Sequence, residues 1–295
     1  MRAAIVALTA FFAVAAARPA HADIPILSVG DLSLDAGAMA QVYGVAQYVP
    51  DPYRSPEELF LFLKEGRLRL DGGWRDYRLH VEMSLGGEST IGTTTPATWL
   101  GLLDLYATLP LHFLGRSFLR VGQFKVPYSR EQLTYSGDLL FADRSINQPA
   151  FVVGRDIGGS VNLRLSRATV LAGVFTGGGR DIPAEYLPQK LGVPLFVLRA
   201  GVGNLDDDPY VLTQSQEVAE KRTRWAVFVD ALYMRDSLVG HSSVLNVKLA
   251  DRSLLLNPAW NPFIGAKPLS QGDWLQVGGD AALRQVLPHG LRFEA

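Results

Sequence analysis

Four cationic side chains, Lys125, Arg130, Arg144 and Arg155, fall within one stretch of the chain. Guanidinium and ammonium groups hold anions through charge-assisted hydrogen bonds. In a narrow, low-dielectric throat they replace part of an anion's hydration shell. The same residues have a plainer use. Arg130 precedes Glu131, Arg144 follows Asp143 and Arg155 precedes Asp156, so each arginine has an acidic neighbour for a loop-stabilising ion pair. Residues 116–167 hold eight basic and four acidic side chains, a local excess of four positive charges. Both uses stay open at this point.

Other chemistry has little support. His80, His112, His241 and His289 are scattered, and none pairs with another at metal-ligand spacing. Gly240-His241-Ser242-Ser243-Val244 has Val where a nucleophile elbow has its second glycine, and no strand-to-helix context surrounds it. Asp206-Asp207-Asp208-Pro209 reads as a solvated turn rather than a cation site. No catalytic residue, metal ligand or cofactor is assigned, and the chain reads as a non-enzyme. The net charge of −1 gives no pull towards nucleic acid, and the absence of cysteine excludes a disulfide scaffold.

The elements that must position the cationic stretch are strands. Tyr77, Leu79, Val81, Met83 and Leu85 take one parity, while Arg78, His80, Glu82 and Ser84 take the other. Glu65, Arg67, Arg69 and Asp71 alternate with Leu68 and Leu70. Ser160, Asn162, Arg164 and Ser166 alternate with Val161, Leu163 and Leu165, and Trp225, Val227, Val229, Ala231 and Tyr233 form another apolar face. Period-2 alternation fits a half-buried sheet, with 29 glycines to supply turns. It does not say whether the polar parity faces outside water, as in a sandwich, or the lumen of a barrel.

Loop lengths separate the two. Strands are expected near 38–48, 59–71, 76–86, 98–110, 117–126, 157–166, 169–177, 194–203, 223–235 and 272–285. The connections between them alternate long and short, with one exception at 204–222. Short turns at one end and long loops at the other are the rhythm of outer-membrane barrels. The fold class is therefore all-β, an antiparallel up-and-down transmembrane barrel. Its lumen face carries Arg67, Arg69, Arg78 and Arg164, but also Glu65, Glu82, Asp104, Asp230 and Asp280. The loop 127–156 is the third long one and falls where a constriction is expected.

Within residues 118–158 the ordered elements Gly-Gln-Phe-Lys-Val-Pro (122–127), Ser-Arg-Glu (129–131), Asp143-Arg144-Ser145 and Gly154-Arg155-Asp156-Ile157-Gly158 resemble the core signature of the phosphate-selective porin O and P family of Gram-negative outer membranes. The resemblance implies a sixteen-stranded homotrimeric barrel in outer-membrane lipid, passing small anions such as phosphate by passive diffusion. It makes Lys125, Arg130, Arg144 and Arg155 the candidates for the pore's anion-binding residues. A non-channel barrel, either a surface adhesin or a receptor, is the alternative function; a barrel enzyme is a more distant one.

Residues 1–22 read as a signal peptide. Arg2 gives a positive start, Ile5 to Ala17 is an apolar run too short to span a bilayer, and Ala20-His21-Ala22 is a small-x-small cleavage site. Residues 23–295 are then one outer-membrane barrel domain. The chain stops at Arg292-Phe293-Glu294-Ala295 just as an eleventh strand begins. The expectation is thus a partial barrel of about ten or eleven strands, a C-terminally truncated member of its type.

Overall fold

The structure, a computed structural model, describes residues 24–48, 57–87, 100–139, 154–177, 194–204, 223–237, 272–286 and 292–294. These form one antiparallel sheet of twelve strands in strict sequence order. The strands are β1 (Ile24–Val29), β2 (Leu32–Tyr48), β3 (Glu57–Trp74), β4 (Tyr77–Gly87), β5 (Leu100–Pro110), β6 (Phe118–Lys125), β7 (Arg155–Leu165), β8 (Ala168–Phe175), β9 (Leu195–Gly203), β10 (Arg224–Ser237), β11 (Gly272–Val286) and β12 (Arg292–Glu294). All ten strands expected from the alternation are present. β12 is the eleventh, at the residues where one was expected. β1 was not foreseen: Pro25 and Gly30 interrupt its pattern. No pairing joins β1 to β12 among the described residues, so the sheet is open. No described helix is long and apolar enough to cross a membrane.

Hydrogen-bonded register carries one face across the whole sheet. Arg69 pairs with Glu82, Glu82 with Asp104, and Tyr106 with Gly122. Gly122 pairs with Gly158, Gly158 with Phe175, Phe175 with Leu195 and Leu195 with Met234. This face is covered: Arg67, Glu82, Asp104, Ser160, Asn162, Arg199 and Asp230 are all buried on it. The opposite parity is apolar and open, with Val229 61%, Val277 72% and Phe196 47% exposed. A soluble sandwich has the reverse arrangement, with its charges outside and its valines covered. Here charge is inside and hydrocarbon outside, the polarity of a sheet that faces lipid.

Aromatic rings mark the margins of the apolar face. Trp225 and Tyr233 lie outward near the two ends of β10, eight residues apart, about 26 Å along the strand. Trp74 and Tyr77 stack at 5.6 Å across the β3–β4 turn. Such rings favour the interface between headgroups and acyl chains.

The sheet curls towards its charged face. The segment between β6 and β7 touches β10 and β11 through Tyr128 and β2 and β3 through Ser136, as described below. Eight residues, four of them helical, span no more than about 20 Å. Eight strand spacings of a flat sheet would separate β3 from β11 by about 38 Å. Only a concave sheet lets so short a chord reach both walls.

An arginine placed on the open face tests this orientation. Val229→Arg in mid-β10 is expected to destabilise the protein refolded into lipid vesicles by about 2–4 kcal/mol, as for charges at a bilayer midplane. Equilibrium urea unfolding from vesicles checks it. A neutral or stabilising result would mean that Val229 faces water.

Candidate pore constriction

The β6–β7 segment leaves the rim at Val126 and crosses the concave side. Tyr128, Val126 and Phe124 pack with Phe175, Leu195, Val197, Leu232 and Met234 into one apolar cluster. These residues lie on the lumen parity, so the cluster is an internal core under the loop rather than a lipid contact. Glycine makes room for it. At Gly158 a Cβ would fall 2.6 Å from the Phe175 ring and 2.3 Å from the Val174 carbonyl oxygen. The facing Gly122 adopts φ 132°, where a side chain would also strike the Leu105 carbonyl. The Phe124 ring meets Phe175 edge-on at 5.3 Å and Tyr106 at 5.8 Å.

From this core the loop anchors on β10 and β11. The Tyr128 hydroxyl hydrogen-bonds the Gln276 side chain, and the Ser129 backbone amide donates to Asp230. A Cβ at Gly278 would lie 2.8 Å from the Tyr128 oxygen, so glycine there lets the ring approach. Ser129 takes φ 67° and turns the chain into the one-turn helix α1 (Arg130–Leu133). Thr134 closes that turn, its hydroxyl donating to the Arg130 carbonyl at 2.9 Å. The Lys125 ammonium donates to the Thr134 carbonyl at 2.9 Å, holding the end of α1 to β6.

The far foot rests on β2 and β3. Arg67 donates to the Ser136 hydroxyl at 2.9 Å and lies 5.0 Å from the centre of the Tyr135 ring. The Gln41 amide donates to the Ser136 carbonyl at 3.2 Å. Arg67 itself is held by Glu65 and, at 2.6 Å, by Glu82. Glu82 also faces Arg155 at 3.5 Å, and the Arg155 Nε donates to both oxygens of Asp104 at 3.0 Å. A bulge opposite Glu82 and Met83 turns both Leu103 and Asp104 inward, and both are buried. The Gln123 amide, at 2.8 Å from the Leu103 carbonyl, satisfies the backbone group that the bulge displaces from the ladder.

A second cluster occupies the β9–β11 wall. Arg199 donates to Asp230 at 2.7 Å and to Asp280 at 2.5 Å, and its guanidinium lies 4.2 Å from the centre of the Phe228 ring. Both clusters hold more carboxylates than guanidiniums. Arg67 and Arg155 meet Glu65, Glu82 and Asp104; Arg199 meets Asp230 and Asp280.

The candidate site residues thus separate. Lys125 and Arg155 are cross-strand partners at the loop's root. Arg130 is buried in α1 beyond them. Arg144 lies outside the described residues, as do the 205–222 connection, Asp206–Asp208 and His241. The partners of Arg155 are Asp104 and Glu82 rather than its sequence neighbour. Asp156 instead accepts from the backbone amides of Ile157 and Gly177 and from the Thr176 hydroxyl, fixing the mouth of β7 and β8. Arg67, Arg69 and Arg78 share the lumen face by register, with Arg69 3.2 Å from Asp71 and Arg78 lying over Gly73. Arg164 is half-buried at the short-turn end. Sequence reasoning missed Arg199, although a lone charge inside Leu195–Gly203 was its signal. It also missed Gln41, Tyr135 and Ser136, whose contacts lie far away in the chain.

The family model described as phosphate-selective porin O and P matches residues 60–187, which include most of β3, all of β4–β8 and the whole crossing loop. Over that span the chain is similar to the phosphate-selective porin O and P family. The family is one of channels, not enzymes, which agrees with the non-enzyme reading. A search of curated proteins found no match.

Two outcomes follow for the crossing loop. Arg67→Met removes the guanidinium beneath Ser136, takes from Glu65 its arginine partner and leaves Glu82 with Arg155 alone, at a cost of about 3–5 kcal/mol. Trypsin, which cannot reach buried Arg130 in the parent, is expected to cleave there in the variant. Unchanged resistance would mean that the foot is held by other contacts.

Tyr135 provides a pH test. Burial first, and the Glu82 charge next, push its phenol well above the ordinary tyrosine range. A raised folded-state pKa favours the neutral phenol, so its stabilising contribution is complete below about pH 10 and is lost as pH rises towards the folded value. The tyrosinate difference spectrum between the parent and Tyr135→Phe is expected to develop only well above pH 10. A transition near pH 10 would place Tyr135 in water.

Proposed function

We propose that this chain is an outer-membrane porin of a Gram-negative cell, a passive diffusion channel for small hydrophilic solutes with a preference for anions such as phosphate. One observation carries the reading: a loop crosses the charged concave side of a sheet whose convex side is apolar. A passage between that loop and the wall is narrow, polar and bounded by low-dielectric protein, where fixed charges act strongly on passing ions. The family match over the same residues supports it.

In this reading residues 1–22 are a cleaved signal peptide and the barrel works as a homotrimer in outer-membrane lipid. Lys125, Arg130, Arg144 and Arg155 are the basic set that draws anions to the loop. The carboxylates beside Arg155 and the carbonyls on Lys125 keep these two groups in place, so they contribute field more than direct ligation.

The test is conductance in a planar lipid bilayer. The full chain is expected to give stepwise channels, and Arg130→Ala with Arg144→Ala to lower anion-over-cation permeability without loss of insertion. Reversal potentials in a salt gradient measure this. An unchanged value would make these arginines structural and remove them from the pore lining. Insertion without any conductance would favour an adhesin or receptor.

A further inference from the structure

We propose that Glu82 is the selectivity-determining residue of this channel, the carboxylate that gives the β3–β7 wall its net negative charge at the foot of the crossing loop. The inference rests on the channel reading above. One oxygen of Glu82, Oε1, lies 2.6 Å from Arg67 and 3.5 Å from Arg155. These two guanidiniums stand on strands four apart in the sheet, and Glu82 lies between them on β4. Each has one other carboxylate of its own, Glu65 for Arg67 and Asp104 for Arg155. With Glu82 ionised the cluster holds three negative charges against two positive ones. Without it the charges balance, and the wall facing an entering ion loses a net negative charge.

Position makes this charge matter to a solute. Arg67 touches the loop at Ser136 and Tyr135, and the Glu82 charge acts on the Tyr135 phenol itself. Glu82 thus lies beneath the point where the loop rests on β3. Although only 3% exposed, it is set in low-dielectric surroundings where a unit charge is screened far less than in water. A purely structural role would be indifferent to which ion passes; a role in setting the wall's charge is not.

The experiment measures reversal potentials of single channels in a potassium chloride gradient. Glu82→Gln is expected to raise the chloride-over-potassium permeability ratio by about threefold or more, the effect of removing one net negative charge beside a narrow passage. Glu82→Asp, which keeps the charge, is expected to retain the parent ratio. A parent-like ratio in a conducting Glu82→Gln channel overturns the proposal. Should that variant fail to insert, Asp104→Asn, which removes the other carboxylate from Arg155, is expected to shift the ratio the same way; no shift there overturns it equally. Absence of conductance from the parent chain would instead remove the channel reading, and this proposal with it.

Discussion

A sheet that buries its charges and exposes its valines is stable only where hydrocarbon takes the place of water on its outer side. Every other feature depends on that inversion. In water the open parity of β8–β11 would leave a large contiguous apolar surface, far beyond what soluble monomers tolerate. In lipid the same surface costs nothing to expose, while every backbone group in the spanning region must find a partner. The continuous antiparallel pairing from β1 to β12 provides those partners strand by strand among the described residues. The curl that brings β2–β3 within reach of β10–β11 gathers the polar parity on one concave side.

Burial on that side then sets the electrostatics. A guanidinium taken from water and buried there is expensive unless a carboxylate meets it, and leaving it alone would cost more than the pair gains. Hence Arg67, Arg155 and Arg199 are each met by carboxylates of other strands, and the loop rests on one of them. The loop is fastened in two ways. Its root is set in an apolar core around Phe124 and Phe175; its far foot is held by an arginine, a serine and a glutamine. The first anchorage is insensitive to salt, whereas the second is polar.

Much of this was legible in the residues. Alternation at 77–85 and 225–233 placed strands and faces correctly, because a period of two survives whatever the sheet packs against. Loop rhythm gave the up-and-down strand order, and the acidic residues Glu82, Asp104 and Asp230 were recognisable as charges of the polar face. Pairing was not legible. Arg155 follows Gly154 and precedes Asp156 in the chain, yet its partners come from β4 and β5, set by register and by a bulge at Leu103 that no local pattern announces. Tyr135 and Ser136 look like ordinary loop residues because their partner, Arg67, is 69 positions from Ser136. The orientation of the polar parity was also beyond alternation alone; burial decided it.

The most direct measurement uses the absence of cysteine from the chain. Single cysteines at Val227 and Val229, on the open face of β10, can carry nitroxide spin labels in protein reconstituted into vesicles. Oxygen, which concentrates in the bilayer, is expected to relax both labels strongly, and a water-soluble nickel chelate is expected not to reach them. Strong relaxation by the nickel chelate at both positions, with oxygen having no greater effect, would contradict a lipid-facing wall and with it the enclosed passage.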